Sequence, residues 1–140
     1  MLLLKNKSIF IAEDNLQNRV IFQMVLIRHG ALVEFERWGQ DTLSRLSRSM
    51  SCDLIILDLM LADNLSGFDV FHQIRAVPRF AEVPIVAVSA MDPSIAMPKA
   101  RIQGFAGFIA KPIDTYLFPQ QLAKILEGEQ VWYAGMRSLT

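Results

Sequence analysis

A chain of 140 residues with 52% hydrophobic side chains can bury one proper core, and its fourteen basic and fourteen acidic residues cancel, so no net field draws it to nucleic acid or to an anionic membrane surface. The single cysteine, Cys52, excludes an internal disulfide and reads as a small core or loop residue; no paired Cys/His spacing suggests zinc, which suits a reducing compartment. The start, residues 1–7, holds three leucines but no long apolar stretch with a small-residue cleavage site, and no run reaches a membrane span, so a cytoplasmic protein is expected.

Along the chain, residues 8–12 form an apolar, β-branched run that reads as a buried strand and stops at the acidic pair Glu13-Asp14. Asn15 is placed to cap a helix in which Leu16, Val20, Met24 and Ile27 recur at helical spacing, with Gly30 as its stop. Residues 32–36 alternate, Val33 and Phe35 against Glu34 and Glu36, as an edge strand with one wetter face does. A short amphipathic helix over residues 40–49, built on Leu43 and Leu46, leads to a second buried strand, residues 53–57, that delivers Asp58. After a loop over residues 61–66, a third helix over residues 67–76 turns Phe68, Phe71 and Ile74 inward.

Pro78 and Pro84 bracket the connection to a central strand, residues 85–88, ending at Ser89-Ala90. Pro93 and Pro98 argue against a full helix in the next segment and for a short one starting near Pro98. Gly104 and Gly107 flank the approach to a short strand, residues 108–110, followed by Lys111-Pro112. Pro119 fits the first turn of a last helix running through Leu122, Ile125 and Leu126 to Gly128. Strands alternating with helices predict a doubly wound α/β domain: a parallel sheet, right-handed crossovers, helices on both faces and a site beyond the carboxyl ends of the strands. The domain is expected to span residues 1–128, with residues 129–140 as a tail whose Trp132 and Tyr133 pack back on it.

Carboxylates, a hydroxyl and an ammonium thus terminate strand-like segments, a set suited to a divalent metal and a phosphoryl group. Asp58 is followed by Leu59 and Met60, so it reads as a lone carboxylate nucleophile toward phosphorus. Mg²⁺, which prefers oxygen ligands and retains waters, would draw on Glu13, Asp14, Asp58 and the backbone carbonyl of Met60. Lys111 supplies a point charge and Ser89 a hydroxyl hydrogen bond to phosphoryl oxygens. Taken singly, each has a plainer reading: an acidic pair or a strand-end Asp as a cap, Ser89 as a turn residue, Lys111 as a solvated charge, Phe108 as core. His29 and His72 lack a partner pattern and read as surface or satisfied side chains.

Jointly, the segments ending in Glu13-Asp14-Asn15, Asp58, Ser89-Ala90 and Lys111-Pro112 resemble the receiver domain of two-component response regulators over about residues 5 to 127. The resemblance implies a flavodoxin-like five-stranded parallel sheet in the order 2-1-3-4-5. It implies Asp58 as the acceptor of a phosphoryl group from a histidine kinase or histidine phosphotransfer protein, with Mg²⁺ held directly by Asp14 and through water by Glu13. Ser89 and Phe108 become the switch pair, and Lys111-Pro112 the matching cis bond. Met60 and Met91 take the positions that flank water's approach to an aspartyl phosphate, so slow autodephosphorylation is expected.

The sequence departs from the family where Pro four and Gly eight residues after the phosphoacceptor are common. Ala62 stands at the first place and the glycine comes one residue late, as Gly67, so the loop holds one extra residue. The expected function is a stand-alone signalling switch that changes its affinity for a partner protein and is not an enzyme. The rivals are a haloacid dehalogenase-type phosphatase, whose second Asp is replaced here by Met60, and a receiver-fold scaffold that works without phosphorylation.

Overall fold

In the computed structural model of the chain, which describes residues 2–38, 42–48 and 51–135, strands and helices alternate as β1 (Ser8–Ala12), α1 (Leu16–Arg28), β2 (Leu32–Glu36), α2 (Thr42–Arg48), β3 (Leu54–Leu57), α3 (Gly67–Arg75), β4 (Ile85–Ser89), α4 (Pro93–Gln103), β5 (Gly107–Ala110), α5 (Leu117–Leu126) and β6 (Val131–Tyr133). The outer ends of the helix expected over residues 40–49 lie outside the described residues. All neighbouring strands are parallel, in the order β2-β1-β3-β4-β5-β6. The expected 2-1-3-4-5 order is therefore present and is extended by a sixth strand from the segment read as a tail.

Because every residue of β3, β4 and β5 is buried, side chains alternate between two cores, one on each face of the sheet. Ile9, Ile11, Leu54, Ile56, Val86 and Ile109 pack on one face with Phe22 and Leu26 of α1 and with Phe118, Leu122 and Ile125 of α5. Phe10, Ile55, Leu57, Ala87 and Phe108 pack on the other with Leu46 of α2, Phe68, Phe71 and Ile74 of α3, and Ala96 and Ala100 of α4. β2 is the half-exposed edge that its alternating sequence predicts.

Asn15 caps α1 as expected, its Oδ1 accepting from the Asn18 N–H at 3.0 Å. The apolar residues that recur at helical spacing do not face the sheet, however. Leu16 is 73% exposed and Met24 58%, and Val20 and Ile27 are exposed with them, while Phe22 and Leu26 face the sheet. Apolar residues occur all round this helix, so periodicity marks a helix without choosing its buried side. The choice falls to the stripe carrying the aromatic: Phe22 stacks on Phe118 with centroids 5.5 Å apart, and burying Phe22 and Leu26 is worth about 1.5–3 kcal/mol each.

The second correction is α4, a full helix of 11 residues where only a short one near Pro98 was expected. Asp92 caps it, with Oδ1 accepting from the Ser94 N–H at 3.0 Å, and Pro93 occupies the first turn, where its missing N–H has no helical partner to lose. Pro98 forfeits only the bond to the Ser94 carbonyl, and both residues lie on the exposed side, so water can satisfy that oxygen. Gly104 closes the helix in the left-handed conformation, φ +104°.

Candidate functional site at the strand ends

Register brings the critical termini side by side. Ala12 pairs with Leu57, Leu57 with Ala87, and Ser89 with Ala110, so Glu13, Asp58, Ser89 and Lys111 emerge from adjacent strands on one rim. Residues 98 and 53 positions apart in sequence then meet directly: Lys111 Nζ donates to Glu13 Oε1 at 2.7 Å and to Asp58 Oδ2 at 2.8 Å. The other oxygen of Asp58, Oδ1, accepts from the Met60 N–H at 3.0 Å. Asp58 is thus held at both oxygens in a buried cleft. The Lys111-Pro112 bond is cis.

Glu13 is buried and its Oε2 has no hydrogen-bond partner. Burial pushes its carboxyl above the usual range, and the hydrogen bond and charge of Lys111 pull the other way without overcoming it. Burial likewise opposes charge on Lys111, but its hydrogen bonds to Asp58 and Glu13, with their charges, outweigh that cost and hold the ammonium above its ordinary value. The cation is therefore locked in at neutral pH.

The loop after Asp58, where one extra residue is expected, turns sharply. A 3-10 turn over Ala62–Asn64 puts Asp63 and Asn64 at φ +59° and +57°, and the chain doubles back so that Met60 bridges Ser66. Gly67 then sits against the backbone of Asp58, where a Cβ would collide with the Asp58 carbonyl oxygen, and its N–H donates to Leu59 O at 3.0 Å. The displaced glycine still starts α3 where the sequence places it.

The remaining expected residues are less tightly drawn in. Asp14 is half-buried beside Glu13. Ser89 is fully buried, and its Oγ accepts from the Met91 N–H at 3.2 Å, which leaves its own proton to donate. Its backbone carbonyl accepts from the Lys111 N–H at 2.9 Å, tying β4 to the end of β5. Phe108 is fully buried in the core on the α4 side, and Met91 packs against that same core. Met60 is 49% exposed at the mouth of the cleft.

Sequence reasoning did not find the Met60 N–H as a positioning group, because a backbone donor leaves no trace in residue type. Nor did it find the three-way contact of Lys111, which depends on strand order. His29 is half-buried with Nδ1 unpartnered, and His72 is exposed; both lie away from the residues named above. Cys52 is a half-buried loop residue whose thiol is pushed up by burial, and it is not an activated nucleophile.

The donor set is one of hard oxygens, and the buried, unpartnered Oε2 of Glu13 is an acceptor awaiting a partner, both of which suit Mg²⁺. Among the described residues no three acidic, His or Cys side chains converge as a ready-made metal cage. The Lys111 ammonium instead fills the place of a cation between Glu13 and Asp58.

Comparison with known proteins agrees with this geometry. The family model of the response regulator receiver domain matches residues 9–125. The transcriptional regulatory protein AfsQ1 of Streptomyces coelicolor is 29% identical over 88% of this chain, which spans only 53% of that protein. The polar-differentiation response regulator DivK of Brucella ovis is 28% identical over 86% of this chain and 96% of its own length. Among solved structures, the receiver domain of the sensor histidine kinase PA1611 from Pseudomonas aeruginosa, which has a magnesium ion coordinated in its active site cleft, superposes with a TM-score of 0.75. It is 24% identical, and the match covers 89% of this chain and 99% of that one.

Proposed function

The chain belongs to the response regulator receiver domain family, whose members are phosphorylation-dependent signalling switches, and from that premise we propose that Asp58 accepts a phosphoryl group and that the modified protein changes its affinity for another protein. The observation that carries this reading is the Asp58 carboxylate itself: buried at the end of β3, with Oδ2 on the Lys111 ammonium and Oδ1 on the Met60 N–H. A carboxylate fixed at both oxygens keeps its lone pairs in one orientation, which is what attack on phosphorus needs.

In the proposed step a carboxylate oxygen of Asp58 bonds to phosphorus while the bond to the donor's imidazole nitrogen breaks. The nitrogen leaves with the electron pair, and Asp58 becomes an acyl phosphate. Lys111 follows the growing charge from carboxylate to phosphoryl oxygen. The Ser89 hydroxyl, whose proton is uncommitted, donates to a second oxygen, and Phe108 moves with it as the switch pair. Mg²⁺ would be held by Asp14, Asp58 and the Met60 carbonyl, with Glu13 reaching it through water, and when bound it would neutralise phosphoryl oxygen charge. The protein would act in the cytoplasm as a switch and not as an enzyme.

The unexpected outward stripe of α1 supports a protein donor. Leu16 follows the acidic pair and its cap, and Val20, Met24 and Ile27 continue an exposed apolar face away from the cleft. A histidine kinase or phosphotransfer protein docking helices there would present its histidine at the rim. The test is intact-mass spectrometry after incubation with acetyl phosphate and Mg²⁺. One phosphoryl group should accumulate on the wild type and none on Asp58→Asn. Free phosphate released with no modified protein would point to a phosphatase, and no reaction at all to a scaffold.

A further inference from the structure

β6 lies on the edge of the sheet that delivers Lys111. Val131, Trp132 and Tyr133 pair in register with Gly107, Phe108 and Ile109, so Trp132 and Phe108 are neighbours on one face. Gly107 admits the strand: a Cβ there would collide with the Val131 carbonyl oxygen. The indole of Trp132 packs against the core that contains Phe108, and the Arg101 guanidinium of α4 stands 4.3 Å from its ring centroid. Beyond the strand, Tyr133 to Gly135 and the loop starting at Lys111 line an open groove of about 530 Å³. One short strand therefore ties together α4, which follows Ser89, and β5, which leads to Lys111.

Its hold is slight by comparison with β1, β3, β4 and β5. All three residues are only half-buried, and they are reached through an exposed connection in which Gly128 adopts φ +97° with open space around it. Elements with few buried contacts and exposed backbone bonds are the ones that open at low free energy.

Resting on the phosphoacceptor reading above, the geometry points to β6 as a latch. In the unmodified protein it closes the β5 edge and holds α4 through Arg101. Occupation of Asp58 draws Ser89 and Lys111 toward the phosphoryl oxygens, shifts α4 and β5, which the latch ties together, and releases the strand. What is uncovered is a row of unpaired N–H and C=O groups on Gly107 to Ile109, together with the Arg101 flank.

The test uses the full chain with Mg²⁺ and beryllium fluoride as a stable phosphoryl mimic, with occupancy of Asp58 read by fluorine NMR. Amide exchange at residues 131–133 should accelerate about tenfold on loading, with β1 and β3 unchanged, since coupling between two sites is commonly of that size. Coupling is reciprocal, so Trp132→Ala and Gly107→Ala, which attack the latch from its two sides, should bind the mimic more tightly by about the same factor. Circular dichroism checks that each variant is folded, and Trp132→Ala alone suffices if the β5 substitution disturbs the sheet. Asp58 occupied with β6 exchange unchanged, or Trp132→Ala binding the mimic no more tightly, overturns the latch and leaves the phosphoacceptor standing. Asp58 unoccupied at saturating mimic, and unlabelled by acetyl phosphate, overturns both.

Discussion

Replacing Lys111 with methionine keeps the stem of the side chain and removes the ammonium. Glu13 Oε1 and Asp58 Oδ2, which Nζ holds at 2.7 and 2.8 Å, are then left facing each other without a cation, in a cleft where Glu13 is 1% and Asp58 7% exposed. Deleting one partner of a buried ion pair costs about 3–5 kcal/mol. The side chain of Lys111 is 13% exposed, so some water reaches the gap, and about 3 kcal/mol is the expected loss at about pH 7. With a urea slope of about 2 kcal/mol per molar, the unfolding midpoint should fall by about 1.5 M. Burial already holds the Glu13 carboxyl above its ordinary value, and without Lys111 the strongest groups pulling it down are gone while the charge of Asp58 still pushes it up. A group whose pKa is raised in the folded state contributes stability below its unfolded pKa and loses it as pH rises through the folded one. In chelator, the variant should therefore approach wild type near about pH 4 and fall away toward about pH 7. Urea titrations followed by circular dichroism at both pH values decide it. An unchanged midpoint at neutral pH, or an equal loss at both, would show that the ammonium is not what holds the two carboxylates in place.

Three further outcomes are expected. Asp14→Ala should abolish Mg²⁺-dependent phosphorylation yet unfold at or above the wild-type temperature without metal, within about 0.5 kcal/mol, because a half-buried acidic side chain beside Glu13 is gone; a clear fall in calorimetry would contradict this. Met60→Asn combined with Met91→Glu should give water polar groups to hold on to, and a gain of about 1.4 kcal/mol in positioning would speed loss of the acyl phosphate about tenfold by mass spectrometry. An unchanged rate would make the two methionines mere gap-fillers, a role that the packing of Met91 against the core already suits. Val20→Asp with Met24→Asp, on the exposed face of α1, should leave stability within about 0.5 kcal/mol and labelling by acetyl phosphate unchanged, while transfer from a cognate kinase slows at least about tenfold; equal slowing with both donors would locate the damage in the cleft.

The strand ends were readable because a fully buried parallel strand announces itself as an apolar run, and the runs here give way to Glu13, Asp58, Ser89 and Lys111, polar side chains that an apolar interior would not otherwise hold. What such runs cannot state is strand order, and the convergence of Lys111 on two carboxylates follows only from that order. α1 was readable as a helix but not as to its inner side, since its apolar residues form two competing stripes and the stacking partner of Phe22 lies nearly a hundred positions away. α4 was misjudged because a proline count says nothing of position: Pro93 costs nothing in the first turn, and Pro98 frees a carbonyl on the wet side. β6 offers only three residues, and its existence depends on Gly107, whose lack of a side chain reads equally well as a turn.

All six strands run the same way, so the chain enters β1 at the rim opposite the cleft and, having passed through β6, arrives at Gly135 on the same rim as Asp58 and Lys111. The two chain directions are therefore not equivalent places to attach anything. A fluorophore, affinity handle or fused protein joined after Gly135 starts beside the cleft of Asp58 and Lys111, whereas one joined ahead of Ser8 starts from the far side of the sheet.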